Sequence, residues 1–464
     1  MEDPPLHYLS ISAAAKRLQS GELTSTELTR ACLDRITALD ARLHAFITVT
    51  AEQALADAKL VDAEIAAGRG RGPMHGIPIA YKDIILTAGV RTTAHSKLLR
   101  DWVPDTDAHV VRRLKDAGAV SLGKLACWEF AYGNPGPEVA FPPARNPWNT
   151  DYSPGGSSSG SGAAVAAGLC LGSIGTDTGG SVRHPAAVCG LVGMKPTYGR
   201  VSTRGVLGLA PTLDHVGPIT RSVRDNAMML QAIAGYDAGD ARSSVEDVPD
   251  FMRLIGRDIA GLRLGVPRRL VELTPHDPEC LAAFDEALRV LRGLGATTEE
   301  FDFPSLAISG DLGVKLLMRE AFDLHQDDLE KSPHLYERSF RERVMPAKHF
   351  TAVEMETARA ARESLRRDFK TLFASGIDAI VSPGREAISD TMAQLAHPTA
   401  KRGMATRLYN STGMPALVMP MGFGRAGMPL GIQFAANHFE EDLIYQLAAA
   451  FEAATRWTMH HPPL

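Results

Sequence analysis

"GTDTGGSVRHPAAVCG", residues 175–190, is the stretch on which the reading of this chain turns. Two adjacent glycines, Gly179 and Gly180, run directly into Ser181; Arg183 follows two places on, and small apolar residues lie to either side. Backbone without side chains serves either a tight turn or a place where main-chain N–H groups must come close to a reacting group. The rest of the sequence decides between the two.

With 464 residues, 45% of them apolar and 22% charged, the composition is that of a globular chain with a large core. The formal charge of −5 and the lack of a basic tract argue against a nucleic-acid surface. The most apolar long run, about 163–175, is too short and too rich in Gly and Ala to span a bilayer. "MEDPPLHYLS" reads as no secretory signal. Cys32, Cys127, Cys170, Cys189 and Cys280 are scattered and never spaced CxxC, which suits reduced, buried thiols in the cytoplasm. Neither H-E-x-x-H nor a His/Cys cluster points to a metal.

Working outward, "TSTELTRACLDRITALDARLHAFI" opens on Thr24 with Glu27 three places later, a capping box ahead of helically spaced apolar residues. A second helix runs from about 51 and ends at Gly68. "HGIPIAYKDIIL" is strand-like around Lys82, and the alternation of strands and helices that follows implies an α/β fold. Residues 236–260 read as a polar surface excursion. The stretch 305–375 reads as a helical insert, with strands returning at "IDAIVSP", "PALVMPMGF" and "PLGIQFAA" before a closing helix near 440–454. Strands on both sides of the insert predict one interrupted domain, and no internal repeat is visible.

Three stretches could carry chemistry: "SPGGSSSGSGAAVAAG" at 153–168, "GTDTGGS" ending at Ser181, and Lys82 in its apolar segment. The first merges into core-like sequence, unlike a linker, and lacks the phosphate-loop pattern. Inside it "GSSSG" matches the nucleophile elbow with Ser158 at the centre, which would need a later acid and a histidine such as His397 or His438, and a strand upstream that "NPWNTDYSP" does not supply. "SLGK" at 121–124 matches S-x-x-K without companion motifs, and reads as a strand end entering a turn. A serine hydroxyl is a weak nucleophile until a neighbour takes its proton, and a lysine can do so only when desolvated and neutral.

Together, "GGSSSGS", "GTDTGGSVRHPAAVCGLVGMKPTYGRVS" and "DHVGPITRSV", with "HGIPIAYKDII" upstream and "NSTGMPALVMPMGF" and "GMPLGIQFAA" downstream, resemble the amidase signature family in order and spacing over about 70–450. The resemblance implies a mixed β-sheet sandwiched between helices in a single domain with a helical insert. It implies Ser181 as nucleophile, Ser157 as bridging serine after a cis peptide bond, and Lys82 as base, with the main-chain N–H groups of Thr178, Gly179 and Gly180 as an oxyanion hole. Ser159 stands where glycine is common in the family. Asp177 and Arg183 are expected to brace the loop.

The implied reaction is hydrolysis of a carbon–nitrogen acyl bond, in an amide, aryl amide or carbamate, through an acyl-enzyme and without a cofactor or metal. The family also includes the amide-hydrolysing component of the glutamine-dependent tRNA amidotransferase. The insert's "RERVMPAKHFTAVEMETA" departs from the glycine- and tyrosine-rich segment associated with that component, so the expectation is a stand-alone hydrolase. Its partners would be a small-molecule amide or carbamate, with no nucleic acid and no membrane, and a homodimer is allowed. Met318, Phe322 and His325, on helical spacing, read as core, with an apolar substrate pocket as the alternative.

Overall fold

The computed structural model describes residues 4–136, 138–396 and 404–464. Its centre is an eleven-stranded mixed sheet built from β1 (Phe46–Val49), β2 (Pro78–Lys82), β3 (Val120–Leu125), β4 (Gly172–Asp177), β5 (Val192–Lys195), β6 (His215–Thr220), β7 (Arg263–Val266), β8 (Thr297–Glu300), β9 (Ala379–Pro383), β10 (Ala416–Phe423) and β11 (Pro429–Ala436). The order across the sheet is β1-β3-β2-β4-β6-β5-β10-β11-β9-β7-β8. β2 runs parallel to both β3 and β4, while β4, β6, β5, β10, β11 and β9 alternate in direction. Helices cover the sheet: Ser159–Ala166 and Arg183–Cys189 lie on its central strands, as do Val223–Ile233 and Glu441–Thr455. This is the α/β, single-domain architecture that the sequence leads one to expect.

Local chemistry explains the elements. Helix Ser25–Leu43 starts at the anticipated capping box, in which the Thr24 hydroxyl accepts from the Glu27 N–H at 3.1 Å and the Glu27 carboxylate accepts from the Thr24 N–H at 2.9 Å. It stops earlier than its apolar pattern suggests. His44 turns left-handed, and after Ala45 the stretch Phe46–Val49 becomes β1, an edge strand antiparallel to β3. A pattern as short as "FITV" does not separate a strand from the last turn of a helix. Residues 236–260 also differ from expectation. Although this segment lacks regular structure, Asp237 and Asp240 are buried and receive Ser202, Thr203 and Arg204, and Phe251 is in the core. Its polarity reflects internal hydrogen bonds, not only solvent contact.

The insert consists of helices Pro304–Lys331, Arg338–Val344 and Ala352–Ala374 between β8 and β9. Phe322 and His325 are buried in it, and His325 meets Phe130, Tyr336 and Phe340 in one aromatic cluster, while Met318 packs at the margin of the core. Among the described residues no helix is long and apolar enough to cross a membrane.

What positions a site is the adjacency of β2 and β4. Because they are parallel, their carboxyl ends, Lys82 and Asp177, finish on the same edge, the place where open α/β sheets put their ligands. The largest fully buried side chains include Arg183, Lys82, Lys124 and Lys195, which is an unusual concentration of cations for a core.

Candidate active site

Lys82 ends β2 with no exposure to solvent, and its Nζ lies 2.7 Å from Ser157 Oγ and 2.7 Å from Thr176 Oγ1. Burial lowers its pKa to about 8, against the pull of the more distant Cys127, Asp177 and Asp214, because the charged form loses its hydration. Both partners are hydroxyls, and among the described residues no carboxylate forms an ion pair with the lysine. A neutral amine can accept from Ser157 as readily as donate to it.

Ser157 follows a cis peptide bond from Gly156. Gly156 is required there for a separate reason: a Cβ would fall inside the ring of Trp128. From Ser158 the chain enters helix Ser159–Ala166, and Ser159 Oγ donates to Ala126 O at 3.3 Å, a role a small residue fills without strain. Ser158 itself is wholly buried, with its hydroxyl on Thr176 O at 3.3 Å. A nucleophile elbow presents its serine outward, so the geometry speaks against that reading. His438 turns to Thr412 O, and His397 lies outside the described residues. In "SLGK", Lys124 is likewise buried, donating to Thr92 Oγ1 at 2.8 Å and to Ile85 O.

Beyond β4 the chain turns through Thr178, Gly179 and Gly180 to Ser181. In this otherwise buried stretch Gly179 and Ser181 are the partly open positions, which gives a ligand a way to both. Asp177 shapes the turn. Its Oδ1 accepts from the Gly180 N–H at 2.7 Å, and its Oδ2 accepts from the Val182 N–H at 3.1 Å. Of the three amides expected to form an oxyanion hole, that of Gly180 is therefore turned to Asp177 in this structure. The amides of Thr178, Gly179 and Ser181 have no acceptor among the described residues. Gly180 is needed for its backbone instead, since its φ is +121° and a Cβ would press on Thr406.

Arg183 locks the turn to the far side of the sheet. It is fully buried and gives Nε and Nη2 to Asp177, Nη1 to Thr406 O and to Gln433 Oε1 (both 2.8 Å), and Nη2 to Asn410 Oδ1 at 2.7 Å. Burial alone would raise the Asp177 carboxyl, but the Arg183 guanidinium and the Asn410 amide hold it well below the carboxylate range. Burial and the charge of Arg183 push Lys195 far down; burial and Lys195 do the same to His215. Asp177 thus stays a carboxylate in this interior, bound by Arg183 and Asn410. Sequence reasoning misses Thr176, Asn410, Thr406 and Gln433. Thr176 stands in plain view inside "GTDTGGS", whereas the other three reach the site across more than two hundred residues.

With this geometry in place, kinship can be read. Residues 27–445 match the family model described as Amidase, and the chain belongs to that family of enzymes acting on carbon–nitrogen bonds. It is similar to the A component of the glutamyl-tRNA(Gln) amidotransferase of Roseiflexus sp. (strain RS-1), 40% identical over 486 residues and covering 99% of each chain. Among solved structures it is similar to a chain of a vestigial protein complex tied to the evolutionary origins of an s-triazine catabolic enzyme, with a TM-score of 0.89 and 31% identity over 96% of this chain and 98% of that one. It is also similar to the peptide amidase of Stenotrophomonas maltophilia, with a TM-score of 0.85 and 33% identity over 99% of both. The amidotransferase relative overturns the expectation of a small-molecule partner alone, with no nucleic acid and no further subunit. That relative, alike along nearly its whole length, is by name one component of an assembly acting with tRNA.

Proposed function

We propose that this chain is the amide-hydrolysing subunit of a glutamine-dependent amidotransferase, with Ser181 as nucleophile, Ser157 as proton bridge and Lys82 as base. Support for the assembly comes from the 40% identity to an amidotransferase component over 99% of both chains. Support for the chemistry comes from the 2.7 Å approach of Ser157 to a buried lysine, with the half-open Ser181 held to the same segment by the Ser158 N–H, which donates to Ser181 O at 3.3 Å.

Ser181 Oγ attacks the side-chain amide carbon of glutamine, and its proton passes through Ser157 to neutral Lys82. Negative charge develops on the amide oxygen, where the Thr178, Gly179 and Ser181 N–H groups receive it; one such donor is worth roughly 3 kcal/mol in a transition state. The proton returns to the nitrogen as the carbon–nitrogen bond breaks, and ammonia leaves. Water then attacks the ester by the reverse relay, releasing glutamate and restoring the serine. In the assembly the ammonia passes to an acceptor carried by tRNA. The five buried, unpaired cysteines support a reducing, cytoplasmic setting.

A second reading, hydrolysis of another amide or a carbamate, draws on the insert segment "RERVMPAKHFTAVEMETA". One panel separates the two: glutamine, a C-terminal peptide amide and an aryl carbamate, offered to the protein alone and with its co-purifying partners. Ser181-dependent release of ammonia from glutamine supports the amidotransferase reading. Turnover of the carbamate or peptide amide with glutamine untouched overturns it.

A further inference from the structure

Two arginines near this site use their guanidinium donors within the fold. Arg183 makes five side-chain hydrogen bonds, and Arg362 bonds Ser411 O, Thr212 O and Thr212 Oγ1. Arg407 is the contrast. It lies on helix Met404–Thr412, one residue after Thr406, whose hydroxyl donates to Gly179 O at 3.0 Å. Its side chain lies over Gly179: a Cβ built there would sit 3.4 Å from Arg407 Cγ and 3.9 Å from its Nε, and nothing else is as near. Yet among the described residues its guanidinium donates no hydrogen bond and forms no ion pair.

A guanidinium has five donors in a planar fork and stays charged in any protein setting. Loss of water holds it below the usual arginine range even though Tyr132 and Glu386 pull the other way. Around it, Arg343 sits over the Tyr132 ring at 5.5 Å and adds a second positive charge. A partly shielded cation whose donors meet no acceptor among the described residues, at the partly open edge of the nucleophile turn, is arranged for a ligand.

We propose that Arg407 binds a carboxylate of the substrate, one carried a few bonds from the amide carbonyl that Ser181 attacks, and so selects anionic amides over neutral ones. This rests on the proposed role of Ser181 and deepens it, since glutamine carries such a carboxylate. The fork matches a carboxylate's two oxygens, and its position over Gly179 fixes the acyl chain relative to the turn.

The test compares succinamate with butyramide and glutaramate with valeramide, pairs in which a carboxylate replaces a methyl group. Expected for the wild type is a higher kcat/KM for the anionic member of each pair, and in Arg407→Met a fall of that ratio by about tenfold or more, carried by KM. Arg407→Lys should restore part of it. Calorimetry on Ser181→Ala, with and without Arg407→Met, reads the same preference as binding where turnover is slow. A wild type that favours the neutral amides, or an Arg407→Met that leaves the ratio unmoved or lowers both members alike, overturns the proposal. Failure to hydrolyse glutamine while the succinamate preference is kept and depends on Arg407 would remove the amidotransferase reading and leave this one standing.

Discussion

The nucleophile turn and the helical insert hold their charges in opposite ways. In the turn, Asp177 and Arg183 are buried and richly hydrogen-bonded, and neither has any solvent exposure. Along the insert, pairs such as Arg338–Glu342, Arg359–Glu356 and Arg366–Glu363 lie on helix surfaces. The first arrangement fixes atoms; the second keeps a surface in water, because exposed pairs contribute little and are screened by salt. The insert is tied to the core at its inner end, where the Glu337 N–H donates to Glu129 Oε2 at 2.7 Å and Ser339 Oγ donates to Asn134 O at 2.7 Å. What the difference teaches is a division of labour: the turn is built so that its atoms cannot drift, and the insert so that its outer face stays in water.

The harshest test of that division is Ser181→Ala, for which kcat/KM should fall by about 10⁴-fold or more while the unfolding curve stays close to wild type. Ser158→Ala should keep substantial activity, and the reverse pattern in a side-by-side assay would move the nucleophile to Ser158.

Next comes Lys82. The base must be neutral, and its neutral fraction grows with pH, so kcat/KM should rise about tenfold per pH unit below the lysine pKa and flatten above it. With that pKa at about 8, the bend should lie well under the ordinary lysine value of 10.5. Lys82→Arg should lose both rate and bend, because guanidinium stays protonated. A wild-type pH profile in that variant would take the base out of the mechanism.

For Arg183→Met the expected loss is about 3 kcal/mol or more in denaturant unfolding, since it strands the buried Asp177 carboxylate and empties the bonds to Thr406, Asn410 and Gln433. Unfolding within error of wild type would mean that the turn does not depend on this pair. At the small end stands Arg338→Ala on the insert surface, where no measurable shift of the unfolding midpoint is expected at physiological salt. A clear shift would erase the contrast between the two regions.

Legibility in the sequence follows sequence distance. Lys82, Ser157 and Ser181 can be picked out because each sits in a short, compositionally odd stretch. The α/β class follows from strands and helices in alternation. β1 escapes because four residues give too little period, and the buried side of 236–260 escapes because polarity alone does not say which way an aspartate faces. Gly180 reads as an oxyanion donor from its place beside Ser181, yet its amide direction is set by the Asp177 carboxylate, a matter of three-dimensional aim that no spacing encodes. Arg407 is invisible for another reason: its interest lies in the partners it lacks among the described residues.

The bonds that join β2, β4 and the Met404–Thr412 helix also say something about how the molecule comes into being. Lys82 reaches Ser157 across 75 residues and Thr176 across 94, and Arg183 reaches Gln433 across 250. Contacts between such distant parts of the chain form late, after the loops between them have closed. A nascent chain that has made β1 to β6 holds all three proposed catalytic residues but not the distant partners that anchor Arg183. The brace on the turn is therefore complete only once the strands and helix nearest the carboxyl terminus have joined the sheet.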